Sequence, residues 1–401
     1  MNLSVSGLQR RIRSSARYDR VLLATMSVAH FLDDGLGRGY STLLPLIRSA
    51  LNLSYVDIGV IDSMQAGLRA VGAPLVSWIS DKTAQRKLLL ILGVSGFFIG
   101  TAGLGLAQNY PLLVAMILLA QLSSCIYHPQ AVSILNFSFR ERLHSAIGIH
   151  GAVGAMGLVA CPILLSLTSE TFGWRIAPTL VYAPILIFAI ILMVLVLGDI
   201  GKSQGRGFKL SALRNSWLAI TMLAVYSGLE SFAFFNTSSL LPLYLRSIKG
   251  FDMVMIGLWL GMGSVGNIVG QLLIGFWTEK LGTRRLVLIT SLLFGLFFYL
   301  FLAIDNYWLQ LLLFVASSAA NAAVFPLEMS VTTEVVEKEA VTTAFAIVNS
   351  LASVTRVVMS PVMGYLADRI GLTFAMNVAL IPATLAGFAA LGIRHSERHR
   401  H

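Results

Sequence analysis

Apolar residues run along this chain in about twelve unbroken stretches of roughly 20 residues, the length an α-helix needs to cross a ~30 Å hydrocarbon core. Their hydrophobicity is continuous rather than alternating, which points to helices and excludes a transmembrane barrel. The predicted spans are 21–47, 57–80, 88–107, 112–135, 145–167, 176–198, 216–245, 253–277, 286–304, 308–330, 342–366 and 372–393. Residues 198–207 form the one Gly- and charge-rich stretch near mid-chain and read as a flexible linker. The expected organisation is an N-terminal segment (1–20), a six-helix half (21–198), a linker (199–215), a second six-helix half (216–393) and a tail (394–401).

The polar punctuation nearly repeats itself after about 198 residues. Ser77-Trp78-Ile79-Ser80-Asp81-Lys82-Thr83-Ala84-Gln85-Arg86-Lys87 ends the second span, and Gly275-Phe276-Trp277-Thr278-Glu279-Lys280-Leu281-Gly282-Thr283-Arg284-Arg285 ends the eighth. Leu44-Pro45-Leu46 returns as Leu241-Pro242-Leu243, Pro129 as Pro326 and Pro162 as Pro361. A doubled membrane protein implies two pseudo-equivalent halves that rock against each other around a site between them.

Composition agrees with lipid as the solvent. Charged residues make up 12% of the chain against 56% hydrophobic, and the mean hydropathy is +0.78. A soluble domain is nearer a quarter charged. The net charge of +10 suggests nucleic acid only until its distribution is read. By count, about 21 of the 29 Lys and Arg residues fall before the first span, in the even-numbered loops and in the tail. That asymmetry is a topology signal placing both termini in the cytoplasm. Cys125 and Cys161 fall inside spans and imply no disulfide framework. The His-rich tail lacks metal-ligand spacing, so no metal site is expected.

Six plus six spans and the doubled loop signature resemble the major facilitator superfamily over essentially the whole chain. The superfamily's loop pattern runs small-x-x-x-Asp-Arg/Lys-x-Gly-Arg-Arg/Lys. Gly275, Glu279, Lys280, Gly282 and Arg284 follow it closely, while Ser77, Ala84 and Gln85 depart from it in the first copy. Gly364-Tyr365-Leu366-Ala367-Asp368-Arg369-Ile370-Gly371 is a third related string. Within the superfamily, His30-Phe31-Leu32-Asp33-Asp34, Leu43-Leu44-Pro45-Leu46-Ile47 and Tyr127-His128-Pro129-Gln130 resemble the fosmidomycin-resistance group of efflux proteins. Gln130 and Ser133 stand where that group often has Glu and Arg. The resemblance implies an all-α membrane protein of twelve transmembrane helices in two pseudo-symmetric halves, working by alternating access without a cofactor.

Ionisable residues deep in a span are costly, so each is a functional candidate. Asp33 and Asp34 lie roughly 18–20 Å into the first span at 1.5 Å per residue. His30 stands one turn before Asp34 and Arg38 one turn after it, on one helical face. Glu230 follows Asp33 by 197 positions, in the seventh span at similar depth. His128 and His150 lie near the ends of spans four and five. The proton-coupling candidates are therefore Asp33, Asp34, Glu230, His30, His128 and His150. The substrate-binding candidates are Arg38, Arg69 and Arg356, with Tyr40, Tyr226 and Trp259 as possible cavity walls. A static Asp34–Arg38 pair, a Glu230–Arg356 pair and an Asp33–Arg69 pair are the structural alternatives.

The loop signatures suggest a conformational latch. Asp81, Lys82 and Arg86 in one loop, with Glu279, Lys280 and Arg284 in its repeat, would work with the acidic Glu334, Glu337 and Glu339 between spans ten and eleven. Exposed pairs are worth only ~0–1 kcal/mol each, yet ~1.4 kcal/mol moves a two-state ratio tenfold.

No Gly-x-x-x-x-Gly-Lys-Ser/Thr string supports an ATP-driven pump. Asp34-Gly35-Leu36-Gly37-Arg38 is too short, and lacks the later acidic ligands, for a CDP-alcohol phosphotransferase. The expectation is a non-enzymatic secondary transporter of a multi-pass bacterial inner membrane. It acts as a monomer, exports a small organic solute, anionic or drug-like, and draws on the proton gradient. An uptake symporter and a transport-inactive sensor on the same scaffold are the alternatives; partners are the substrate and the bilayer, not nucleic acid. If the latch operates, Asp81→Ala lowers transport while insertion into the membrane is unchanged; wild-type flux in a correctly folded variant would reject it.

Overall fold

The computed structural model describes residues 16–83, 85–139, 142–197, 213, 216–336 and 341–391. These residues are helical, with no strand among them. The helices are α1 (Ala16–Leu51), α2 (Tyr55–Thr83), α3 (Arg86–Gly103), α4 (Tyr110–Ser138), α5 (Leu143–Phe172), α6 (Ala177–Val196) and α7 (Trp217–Ser247). They continue as α8 (Met253–Leu281), α9 (Thr283–Ala303), α10 (Tyr307–Asn321), α11 (Val324–Val335), α12 (Val341–Arg369) and α13 (Leu372–Leu391). Residues 1–15, nearly all of the expected linker (199–215) and the tail (394–401) lie outside the described residues.

Among the described residues, ten segments are long and apolar enough to cross a membrane by length and composition, taking α10 and α11 as one span over Tyr307–Val335. Helices α1 and α2, at 36 and 29 residues, have the length but not the composition. Asp33, Asp34 and Arg38 interrupt one apolar run, and Asp57, Asp62 and Arg69 the other. The expected twelve spans thus comprise ten apolar segments and two charge-bearing helices. Leu195, Leu218, Leu272 and Trp308 are 72–77% exposed, a surface suited to hydrocarbon. The chain is an all-α, multi-pass membrane protein.

Helix starts carry the repeat in atomic detail. Asn109 Oδ1 accepts from the Leu112 amide at 3.0 Å, and 197 residues later Asn306 Oδ1 accepts from Leu309 at 3.0 Å. Ser54 Oγ accepts from the Asp57 amide at 3.0 Å while Asp57 Oδ2 accepts from the Ser54 amide at 2.8 Å, a reciprocal cap on α2. Asp252 caps α8 at the equivalent place, accepting from Met255 at 2.7 Å. Prolines 45, 74, 129, 162, 184, 242, 361 and 382 are absorbed within continuous helices. The tenth predicted span differs: it breaks at Ala322 and Ala323. Pro326 has no amide for the Ala322 carbonyl, four residues back, which locally releases the ladder.

The chain divides into two compact units. The described part of one comprises residues 16–43 and 72–197; the other takes residues 44–71 and everything described from 213 onward. In the first, tyrosine hydroxyls join helices through backbone carbonyls. Tyr127 donates to Met26 O at 3.0 Å and Tyr18 to Val196 O at 3.0 Å. In the second, α7 is enclosed by an apolar cluster including Leu223, Val287, Leu327, Val331, Val348 and Ala386. Also within the second unit, α2 lies along α12. The Tyr55 and Val56 amides donate to Asp368 Oδ1 and Oδ2 at 3.0 and 2.9 Å, placing a carboxylate on the N-terminus of α2. Ser63 Oγ donates to Val357 O at 2.6 Å about two helical turns further along α2.

This approach needs Gly364, because a Cβ there would fall 2.3 Å from the Tyr55 carbonyl oxygen. Gly364→Ala is expected to destabilise the detergent-solubilised protein by about 1–3 kcal/mol, the usual cost of overpacking. A thermal unfolding curve superimposable on wild type would contradict it.

Candidate functional site

The first unit gathers five of the sequence candidates. Helix α1 supplies His30, Asp33 and Asp34, α4 supplies His128 and α5 supplies His150. Asp33 is buried, 3% exposed at its side chain, and its Oδ2 meets His128 Nε2 at 2.7 Å and Ser124 Oγ at 3.4 Å. His30 Nε2 lies 3.3 Å from Asp34 Oδ2, as expected for residues one turn apart. His30 Nδ1 lies 2.9 Å from the His150 carbonyl oxygen, and the two imidazoles stack with centroids 4.1 Å apart. His128 stands edge-on to His30, with centroids 5.6 Å apart, and to Tyr127 at 5.5 Å.

This arrangement has a consequence for protons. Both ring nitrogens of His30 face oxygens that accept hydrogen bonds: a backbone carbonyl and a carboxylate. A neutral imidazole carries one N–H and can satisfy only one of them. Donating to both requires a second proton, held on the ring or shared with Asp34. Gly154 of α5 makes the room, since a Cβ there would sit 2.5 Å from His30 Nδ1 and 2.7 Å from Asp34 Oδ2. Neither Gly154 nor Ser124 was expected; in the sequence Gly154 is one small residue among many in its span.

No metal site is expected from the sequence, yet Asp33, Asp34 and His128 bring one potential ligand atom each to within 4.8 Å of one another. That spacing suits a metal ion as well as a proton network. Tyr40 is half-buried on α1. The side chain of Arg38 lies outside the described residues.

The second unit holds the other candidates in different company. Glu230 is 1% exposed, with both carboxyl oxygens buried and Ser291 as its polar neighbour. The expected Glu230–Arg356 pair does not form. Arg356 lays its guanidinium over the Phe235 ring at 3.5 Å and has Asp62 and Arg69 as its charged neighbours. Cation–π contact offsets part of the cost of burying it. Arg69 is exposed. Trp259 is enclosed by Phe251, Phe301, Tyr307 and Phe314, and Tyr226 is equally buried. Glu328, unnoticed in the sequence because it lies near the edge of a predicted span, is 4% exposed on α11. It accepts from Ser227 Oγ at 2.9 Å and Asn349 Nδ2 at 3.2 Å.

Of the latch residues, the Asp81 side chain and all of Glu337 and Glu339 lie outside the described residues. Lys82 Nζ sits over Trp78 at 4.4 Å and Lys280 Nζ over Phe276 at 4.0 Å. Arg86 is buried at the start of α3, Glu279 is exposed, and Arg284 has buried guanidinium nitrogens. Glu334 accepts from Thr283 Oγ1 at 3.1 Å.

The Major Facilitator Superfamily profile matches residues 23–229 and 223–401, almost the full length of the chain. The chain belongs to this superfamily. The cis,cis-muconate transport protein of Acinetobacter baylyi is 24% identical over 259 residues, 59% of this chain and 61% of that protein. The fosmidomycin resistance protein of Escherichia coli is 23% identical over 160 residues, 40% of this chain and 39% of that one. The matches thus span less than two thirds of either relative, and membership of the fosmidomycin-resistance group does not follow from them. The solved nucleoside transporter NupG superimposes with a TM-score of 0.81 over 93% of this chain and 99% of its own at 13% identity, a likeness of fold.

The cluster itself is testable. His128→Ala removes the short contact to Asp33 and should cost about 1–3 kcal/mol by leaving a buried carboxylate under-satisfied. In an Asp33→Asn background the same change should cost much less. Strictly additive losses in thermal unfolding would show that the two side chains are not coupled.

Proposed function

We propose that this superfamily member is a proton-coupled secondary transporter that exports a small organic solute across the bacterial inner membrane by alternating access of its two six-helix halves. The observation that carries the proposal is His30 held between the His150 carbonyl and the Asp34 carboxylate. A partly exposed imidazole held between two hydrogen-bond acceptors is a place where a proton can be exchanged. Asp33–His128 extends that network towards the half-exposed His128 ring, a route for exchange. Glu230 is a second candidate for coupling. Both termini are assigned to the cytoplasm by the Lys and Arg asymmetry.

An anionic solute is the class favoured by Arg69 and Arg356, which bring two guanidinium groups near the one carboxylate of Asp62. Export is favoured by the resemblance to fosmidomycin-resistance proteins. The muconate relative, named for transport rather than resistance, keeps uptake as the second reading.

A resistance and uptake panel in transporter-deficient cells, run with and without a proton uncoupler, tests both readings. Export predicts lower accumulation of the substrate in expressing cells, reversed by the uncoupler; uptake predicts the opposite sign. Asp33→Asn, Asp34→Asn and Glu230→Gln should each lower the rate by roughly tenfold or more, ~1.4 kcal/mol of barrier. Unchanged transport in all three would remove the coupling role.

A further inference from the structure

Asp33, Asp34 and His128 come together on α1 and α4 in an arrangement that hydrogen bonds alone leave incomplete. One potential ligand atom from each lies within 4.8 Å of the others. Asp33 anchors the group. Its side chain is 3% exposed, and its Oδ2 is engaged by His128 Nε2 at 2.7 Å and Ser124 Oγ at 3.4 Å. Its other oxygen, Oδ1, is buried and accepts no hydrogen bond among the described residues. An unmet buried acceptor costs about 1–3 kcal/mol, more when charged, so an unmet carboxylate oxygen at this depth points to a ligand.

The other two donors are more accessible, the Asp34 side chain at 24% and His128 at 48%. The group therefore has one fixed, buried member and two that can turn towards an ion entering past His128. Metal–ligand bonds of about 2.0–2.2 Å set neighbouring donor atoms roughly 3 Å apart. The 2.7 Å between Asp33 Oδ2 and His128 Nε2 is close to that spacing. Nearby side chains are placed to orient the donors. Ser124 holds Asp33, and His30 Nε2 stands 3.3 Å from Asp34 Oδ2 with its Nδ1 fixed at the His150 carbonyl. The Tyr127 hydroxyl is spent on Met26 O.

This donor set selects the ion. One imidazole nitrogen with two carboxylates suits divalent ions of the zinc, cobalt and nickel kind, whereas magnesium and calcium take oxygen ligands. Two carboxylates match two positive charges. Three protein ligands leave a further coordination position for water or a solute.

We propose that Asp33, Asp34 and His128 bind one divalent transition-metal ion, which fastens α1 to α4. The ion is a ligand distinct from the proton of the transport reading. The site is argued from donor geometry, and its occupancy is measurable in protein that carries out no transport.

Cobalt(II) titration of the purified full-length protein, prepared without a histidine tag, tests it. The tail substitutions His395→Ala, His399→Ala and His401→Ala remove a competing set of imidazoles. Visible d–d absorption should rise to a plateau at one cobalt per chain. Stoichiometric zinc should bleach it, and a large excess of magnesium should not. Asp33→Asn and His128→Gln should each weaken cobalt binding by at least about 100-fold, the upper range for loss of an orienting partner. His128→Gln, at the more exposed position, remains informative if Asp33→Asn does not fold. The proposal is overturned if the folded protein gives no cobalt spectrum, if the bands survive undiminished in folded His128→Gln, or if magnesium displaces cobalt as readily as zinc does. No proton gradient is present in the titration, so its outcome is independent of whether export is proton-coupled.

Discussion

A charge inside a lipid-enclosed helix bundle must be matched by a partner of its own depth, and that requirement organises this molecule more than any apolar contact. Hydrocarbon offers no preference for one helix over another. Asp33 with His128, His30 with the His150 carbonyl, Glu328 with Ser227 and Asn349, and Arg356 with Phe235 each fix which helix faces which. The two helices whose composition falls short of an apolar span are α1, which carries His30, Asp33 and Asp34, and α2, which carries Asp57, Asp62 and Arg69.

Each cluster is built from helices distant in sequence but joined locally by small residues. The His30–Asp34 pair has room beside α5 because Gly154 lies at the same level. The α2–α12 contact exists because Gly364 leaves room for the Tyr55 carbonyl. In both places a polar interaction is set by a missing side chain on the facing helix. That is why substitution at these glycines acts on electrostatics as well as on packing.

Much of the fold was legible in the sequence, because the length of an apolar run and the offset of a repeat are local quantities. The repeat extends to Asn109 and Asn306, which cap their helices through the same backbone position. The break in the tenth span was not legible: Pro326 and its repeat mate Pro129 look alike in sequence, yet only the former interrupts its helix. Within the site, the pairing of His30 with Asp34 followed from helical spacing. The approach of His128 and His150 did not, since it depends on how α4 and α5 turn against α1. The same ignorance of helix rotation led from Glu230 to Arg356, when Arg356 faces Phe235 and α2. Glu328 escaped notice because the break in its span brings it deeper into the core than its sequence position suggests.

Asp368 grips α2 through two main-chain amides and no side chain of that helix. Whatever residues occupy positions 55 and 56, proline aside, they offer the same pair of donors. The clasp is therefore indifferent to most substitutions on the helix it holds, so residues facing a solute can drift towards a new cargo while this fastening survives unchanged.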